Sequence, residues 1–167
     1  MNPETFNTLE TKRLLIKQID RGEYYKDERI FHQIIEDHTL QSIFTKDNSK
    51  DTLIFSITNK VDRQLLGFIF FKPLNFSGEM ECYFLLFPQY RGSGFAIEAL
   101  KKSIEFVFST LKMDTLYAYV SQDNRRGWLV AERSGMKYMG DIIIEQRKKK
   151  VMKFSMNKND FDNAYHL

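Results

Sequence analysis

Short apolar runs separated by polar turns make up most of the chain. Arg13 to Gln18, Leu53 to Thr58, Gln64 to Lys72, Glu79 to Phe87 and Thr115 to Val120 have the length and the β-branched or aromatic content of strands. Met139 to Gln146 and Val151 to Met156 add two more near the end. Helical spacing appears in three places. Glu23 to Asp37 carries Ile30, Phe31 and Ile34 on its apolar side. Ser93 to Leu111 places Ile97, Leu100, Ile104, Val107, Phe108 and Leu111 on one face. Arg125 to Ser134 is a shorter helix stopped by Gly135.

The order strands, helix, strand, helix, strands predicts an α/β fold. Its sheet is mixed and mostly antiparallel, with about seven strands. One parallel crossover joins the fourth and fifth strands through the long helix. The 167 residues fit one domain, with a core at about 11–157 and a tail at 158–167.

One segment joins the fourth strand to the long helix: Gln89-Tyr90-Arg91-Gly92-Ser93-Gly94-Phe95-Ala96. A helix N-terminus leaves its first amides unpaired and partly positive, and glycines let an anion approach the backbone. A Walker A loop needs Lys and Ser or Thr after its last glycine, where Phe95-Ala96 stand. A dinucleotide fingerprint needs a small residue where Ile97 stands and an acid ending the next strand, whereas Asp114 precedes it.

The pattern Gln-x-x-Gly-x-Gly-x-Ala after a strand closed by Pro88 resembles the acetyl-CoA pyrophosphate loop of the GNAT N-acetyltransferase superfamily. Thr11-Lys12-Arg13-Leu14-Leu15-Ile16 resembles the opening strand of its ribosomal-protein-alanine acetyltransferase branch, and Leu65-Leu66-Gly67-Phe68-Ile69 its third strand. Asp123-Asn124 and Glu132-Arg133-Ser134-Gly135-Met136 resemble its last helix and following turn. These matches are in order and span about residues 11 to 145.

The resemblance implies a splay between the fourth and fifth strands, with the pantetheine arm in the gap. It implies acetyl-CoA as co-substrate, a primary amine as acceptor (a protein N-terminus or a small-molecule amine) and direct transfer between them. Amides from Tyr90 to Ala96 would bind pyrophosphate, with Gln89 and Arg91 adding charge or hydrogen bonds. Leu85, Leu86 and Phe87 would line the cofactor, and an amide near Leu85 or Leu86 would be the oxyanion donor. Asn124 would contact the pantetheine arm, or cap the helix from Arg125.

Glu81 matches the family's base. Alternation places Glu79, Glu81 and Tyr83 on one face and Met80, Cys82 and Phe84 on the other. Glu79 then attracts the acceptor, unless the two acids only form cross-strand ion pairs. A lysine-type amine with a pKa of about 10.4 is neutral in about one molecule in 2,500 at pH 7, so a base matters.

Relatives place Ser three residues after the Asn, or Tyr seven residues after it. Gly127 and Ala131 stand there, which leaves Tyr83 and Tyr119 as proton donors by position. That departure keeps open a non-catalytic CoA-binding module. Relatives also carry a second helix where only Gln41 to Thr52 stand, which implies a more open acceptor pocket or one completed by a partner subunit.

Composition narrows the field further. The single Cys82 excludes an intrachain disulfide and a cysteine-based zinc site, and His32, His38 and His166 have no metal spacing. No metal is expected. The sequence has no leader pattern and no apolar run of membrane-helix length, so a cytoplasmic protein without a membrane partner is expected. Net charge is only +3, and the run Arg147-Lys148-Lys149-Lys150 reads as a solvated hairpin turn. It lacks interleaved aromatics, so nucleic acid is not expected as a partner. An adenosine 3′-phosphate contact and a homodimer stay open.

Overall fold

Among the described residues, eight strands form one sheet in the order β1-β2-β3-β4-β5-β6-β8-β7. They are β1 (Thr8–Glu10), β2 (Leu14–Gln18), β3 (Leu53–Asn59), β4 (Leu65–Pro73), β5 (Glu79–Leu86), β6 (Thr115–Ser121), β7 (Lys137–Ile144) and β8 (Lys149–Asn157). Helices α1 (Glu28–Glu36), α2 (Phe95–Glu105), α3 (Arg125–Arg133) and α4 (Lys158–Tyr165) flank the sheet. This computed structural model describes residues 7–20, 24, 26–36, 51–144 and 148–165. The segment Gln41 to Thr52 lies outside them except for Asp51 and Thr52, as do the ends of the first expected helix and Arg147.

Alternation sorts the strands into two apolar layers. On one face Leu14, Ile16, Phe55, Met80, Cys82, Leu116, Ala118 and Phe154 pack with Leu100, Ile104 and Val107. On the other, Ile30 and Ile34 of α1 cover Ile54, Leu65, Phe68, Phe70 and Phe87. β4 feeds both layers, which is why its sequence is a continuous apolar run. Phe31, expected on the apolar side of α1, is 41% exposed.

Among the described residues, every strand pairing is antiparallel except that of β5 with β6. That parallel pairing is short: Glu79↔Thr115, Met80↔Leu116 and Glu81↔Tyr117. Beyond it β5 stays with β4 as far as Leu86, and β6 stays with β8 as far as Ser121. The two strands therefore fork, and Glu81 is the last β5 residue before the gap.

Three elements differ from the sequence expectation. β1 is an added edge strand. The long helix ends its α-helical part at Glu105 and continues as a π-turn, Phe106–Thr110, closed by Leu111 N–H donating to the Phe106 carbonyl at 3.0 Å. The wider turn buries three consecutive residues, Phe106, Val107 and Phe108. The expected tail forms α4, with Phe161 only 2% exposed and stacked on Phe108 at 4.9 Å between ring centroids.

Candidate active site

The β5–α2 connection starts with a tight 3₁₀ turn, Pro88–Tyr90. The Tyr90 amide donates to the Phe87 carbonyl at 2.9 Å and the Arg91 amide to the Pro88 carbonyl at 3.3 Å. Those two amides, expected to share the anion, are thus taken by the turn. Arg91 Nε donates to the Leu86 carbonyl at 3.0 Å, and Tyr90 Oη to Gln64 Oε1 at 2.8 Å. The chain then opens. Gly92 and Gly94 have φ of 94° and 79°, values that L side chains rarely adopt. Gly94 stands before α2 without a capping side chain. Among the described residues, the amides from Gly92 to Ile97 donate to no protein acceptor. Gln89, Arg91 and Ser93 are exposed, while Phe95 and Ala96 pack partly against the core.

The hydrogen-bond phase of β5 separates the two oxyanion candidates. The Phe87 amide donates to the Leu66 carbonyl at 2.9 Å, so it faces β4. Main-chain groups alternate sides along a strand, so Leu85 also faces β4 and Leu86 faces the fork. Gly67 lets β5 come close: a Cβ there would collide with the Leu85 carbonyl oxygen.

Glu79, Glu81 and Tyr83 share the face that α1 occupies, as expected, and Met80 and Cys82 are buried on the other. Tyr83 is 40% exposed, with its ring 5.6 Å from that of Phe70. Tyr117 Oη donates to Glu79 Oε1 at 3.3 Å, and the Tyr117 and Tyr119 rings stack at 6.4 Å. Lys153 Nζ lies 4.9 Å from the centre of the Tyr117 ring, and Lys72 is the register partner of Glu81. Burial pushes the Tyr119 phenol up, and the charges of Glu81 and Glu79 push the same way. Tyr83 and Tyr119 stand on opposite limbs of the fork, each two residues past the Glu81↔Tyr117 pair.

α3 brings its N-terminus to the sheet through Asn124. The Asn124 side chain accepts from the Gly127 amide at 3.0 Å, so the capping role is present. A Cβ at residue 127 would lie 2.5 Å from Asn124 Nδ2. Gly127 is thus the residue that leaves room for the cap. Ala131 is fully buried in the core under α3. A proton donor has no place at either position without repacking.

The match to known families agrees with this layout. Residues 11–137 match the acetyltransferase (GNAT) domain model. The chain belongs to the GNAT acetyltransferase family. A GNAT-family acetyltransferase from Bacillus anthracis superposes with a TM-score of 0.70 at 17% identity, over 92% of this chain and 99% of its own. A Vibrio cholerae protein named a ribosomal-protein-serine acetyltransferase gives 0.71 at 16%, over 90% and 97%. A dodecameric spermidine N-acetyltransferase from Vibrio cholerae gives 0.69 at 17%, over 93% and 99%. These identities bear on the fold.

Within this GNAT fold, the candidate site is visible in the sequence in part. The loop glycines, Glu81 and Asn124 stand out by motif. Tyr117 does not, although its alternation with Tyr119 in β6 was a signal for a shared face. Trp128 packs partly against the core, as its size suggests. Cys82, beside Glu81 in sequence, is 3% exposed on the opposite face, and burial pushes its thiol up to about 12. A buried thiol on the face away from Glu81 is not placed as a nucleophile at the fork.

Proposed function

We propose that the chain moves the acetyl group of acetyl-CoA directly onto a primary amine. The observation that carries this is Glu81 at the vertex of a fork whose far end holds unpartnered amides. From Glu81 to Leu86 the strand runs about 17 Å, a span for an extended amide-bearing arm such as pantetheine. The amides from Gly92 to Ile97 would take the diphosphate. The fork-facing Leu86 amide, about 17 Å along the strand from Glu81, would hydrogen-bond the arm itself and lies too far from Glu81 to hold the thioester oxygen. Glu81 would accept the amine proton, directly or through water. Tyr83 or Tyr119 would protonate the departing thiolate. A thiol with a pKa of about 8.5 leaves more readily than an amine of about 10.4, so a weak acid suffices. The inert Cys82 supports direct transfer over an acetyl-cysteine route.

The acceptor face joins Glu79, Glu81, Tyr83, Tyr117 and Tyr119 to Lys72 and Lys153. Tyr117 already carries the Lys153 ammonium, so Glu79, Glu81 and the Tyr83 and Tyr119 rings would hold the acceptor ammonium before it loses its proton. A homodimer through the β7 edge fits the exposed Tyr138, Met139 and Ile143 on that strand. The test is thiol release from acetyl-CoA with a panel of amines. Turnover with a primary amine is expected. No release above spontaneous hydrolysis with any amine would overturn the proposal.

A further inference from the structure

A carboxylate stands in the first turn of the helix assigned to the diphosphate. Glu98 is the fourth residue of α2, and an ionised, uncompensated acid there would repel the same anion. The structure compensates it from β2. Glu98 Oε1 accepts from Arg13 Nε at 2.7 Å. Glu98 Oε2 accepts from the Arg13 amide at 3.2 Å and from Thr11 Oγ1 at 2.5 Å. Burial opposes ionisation of Glu98, but these hydrogen bonds and the Arg13 charge outweigh it and hold the carboxyl below the ordinary glutamate value.

The same contacts aim the guanidinium. Its central carbon lies 4.2 Å from the centre of the Phe95 ring. Its Nε edge is taken by Glu98, and its Nη2 lies 3.5 Å from the point a Cβ on Gly94 would occupy. Among the described residues, Nη1 and Nη2 donate to no protein acceptor. A planar guanidinium held at one edge and stacked on a ring offers its other edge in a fixed direction. Here that direction is the Gly92–Gly94 turn.

We propose that Arg13 is a phosphate-binding residue of the donor site. Glu98 acts through it as the positioning residue, and Arg13 in turn cancels the Glu98 charge beside the diphosphate. This rests on the acetyl-CoA reading above. The test compares acetyl-CoA with acetyl-pantetheine, which lacks every phosphate. Arg13→Gln should raise the KM for acetyl-CoA about tenfold or more, the scale of one lost charge-assisted contact. It should leave kcat/KM for acetyl-pantetheine within about twofold, which also reports that the variant is folded. Arg13→Lys should recover only part of the affinity, because an ammonium cannot serve both partners. Arg13→Gln with Glu98→Gln should bind acetyl-CoA better than Arg13→Gln alone, since the exposed acid is then gone. Equal losses with both donors, or no loss with either, would overturn the assignment. If the wild-type chain releases no thiol from acetyl-CoA, the functional reading fails and takes this one with it. Normal wild-type turnover with an unaffected Arg13→Gln sinks only the role of Arg13.

Discussion

At the fork vertex, Glu81 is fixed by backbone pairing on both sides, to Lys72 on β4 and Tyr117 on β6. Its carboxylate can therefore act without a mobile loop to place it. Glu81→Gln keeps the shape and removes the proposed base. Its kcat/KM should fall about 10²-fold near neutral pH, and the loss should shrink as pH approaches the amine pKa. A rate equal to wild type at every pH would remove the role. Gly94→Val tests the other end. At φ 79° a β-branched residue is strained, and the turn that presents the amides would shift. Calorimetry should show the acetyl-CoA dissociation constant rising more than tenfold, about 1.4 kcal/mol. Both residues were legible because short motifs carry them. The partnership of Glu79 with Tyr117 was not, since it depends on a parallel register that no local pattern fixes. The reason for Gly127 was hidden too, as it lies in the space that the Asn124 side chain fills.

Among the elements, α3 and α4 are each set by a polar cap. Asn124→Ala removes the acceptor for the Gly127 amide and should cost about 1 kcal/mol in chemical denaturation. α4 begins with a reciprocal pair: the Asp160 amide donates to Asn157 Oδ1 at 2.8 Å, and the Asn157 amide to Asp160 Oδ2 at 3.0 Å. Asn157-Lys158-Asn159-Asp160 was the sequence signal for this helix, obscured by the polar composition that made the segment look like a tail. The Asn157 amide and Lys137 hold the Asp160 carboxyl below the ordinary aspartate value of 3.8. A carboxyl depressed in the folded state stabilises it above that value, and the contribution is lost as pH falls through the lowered one. Acid unfolding followed by circular dichroism should therefore be less steep below about pH 4 in Asp160→Asn. An unchanged slope would count against the linkage. The π-turn had no sequence signal, because its register answers to partners elsewhere: Phe106 meets Phe55 and Phe108 meets Phe161.

For the whole molecule, the apolar runs gave the sheet and its one parallel crossover and the family resemblance implied the fork, while β1 and the packing of α4 on Phe108 follow from tertiary contacts. Truncation after Asn157 should therefore expose Phe108 and lower the melting temperature sharply, since losing a buried phenylalanine alone costs about 3–5 kcal/mol. At the same end of the sheet, a dimer through β7 predicts that Ile143→Asp moves the sedimentation profile toward monomer. A profile that Ile143→Asp leaves unchanged would reject that edge. The central claim is direct acetyl transfer at the fork, and intact-mass spectrometry of a single turnover tests it. With acetyl-CoA in slight excess and no acceptor, the chain should keep its unmodified mass. Addition of the best amine of the panel should then yield one acetylated amine per acetyl-CoA consumed. A chain that gains an acetyl group before the acceptor is added and loses it afterwards would contradict the account, as would acetyl-CoA that stays intact with the acceptor present.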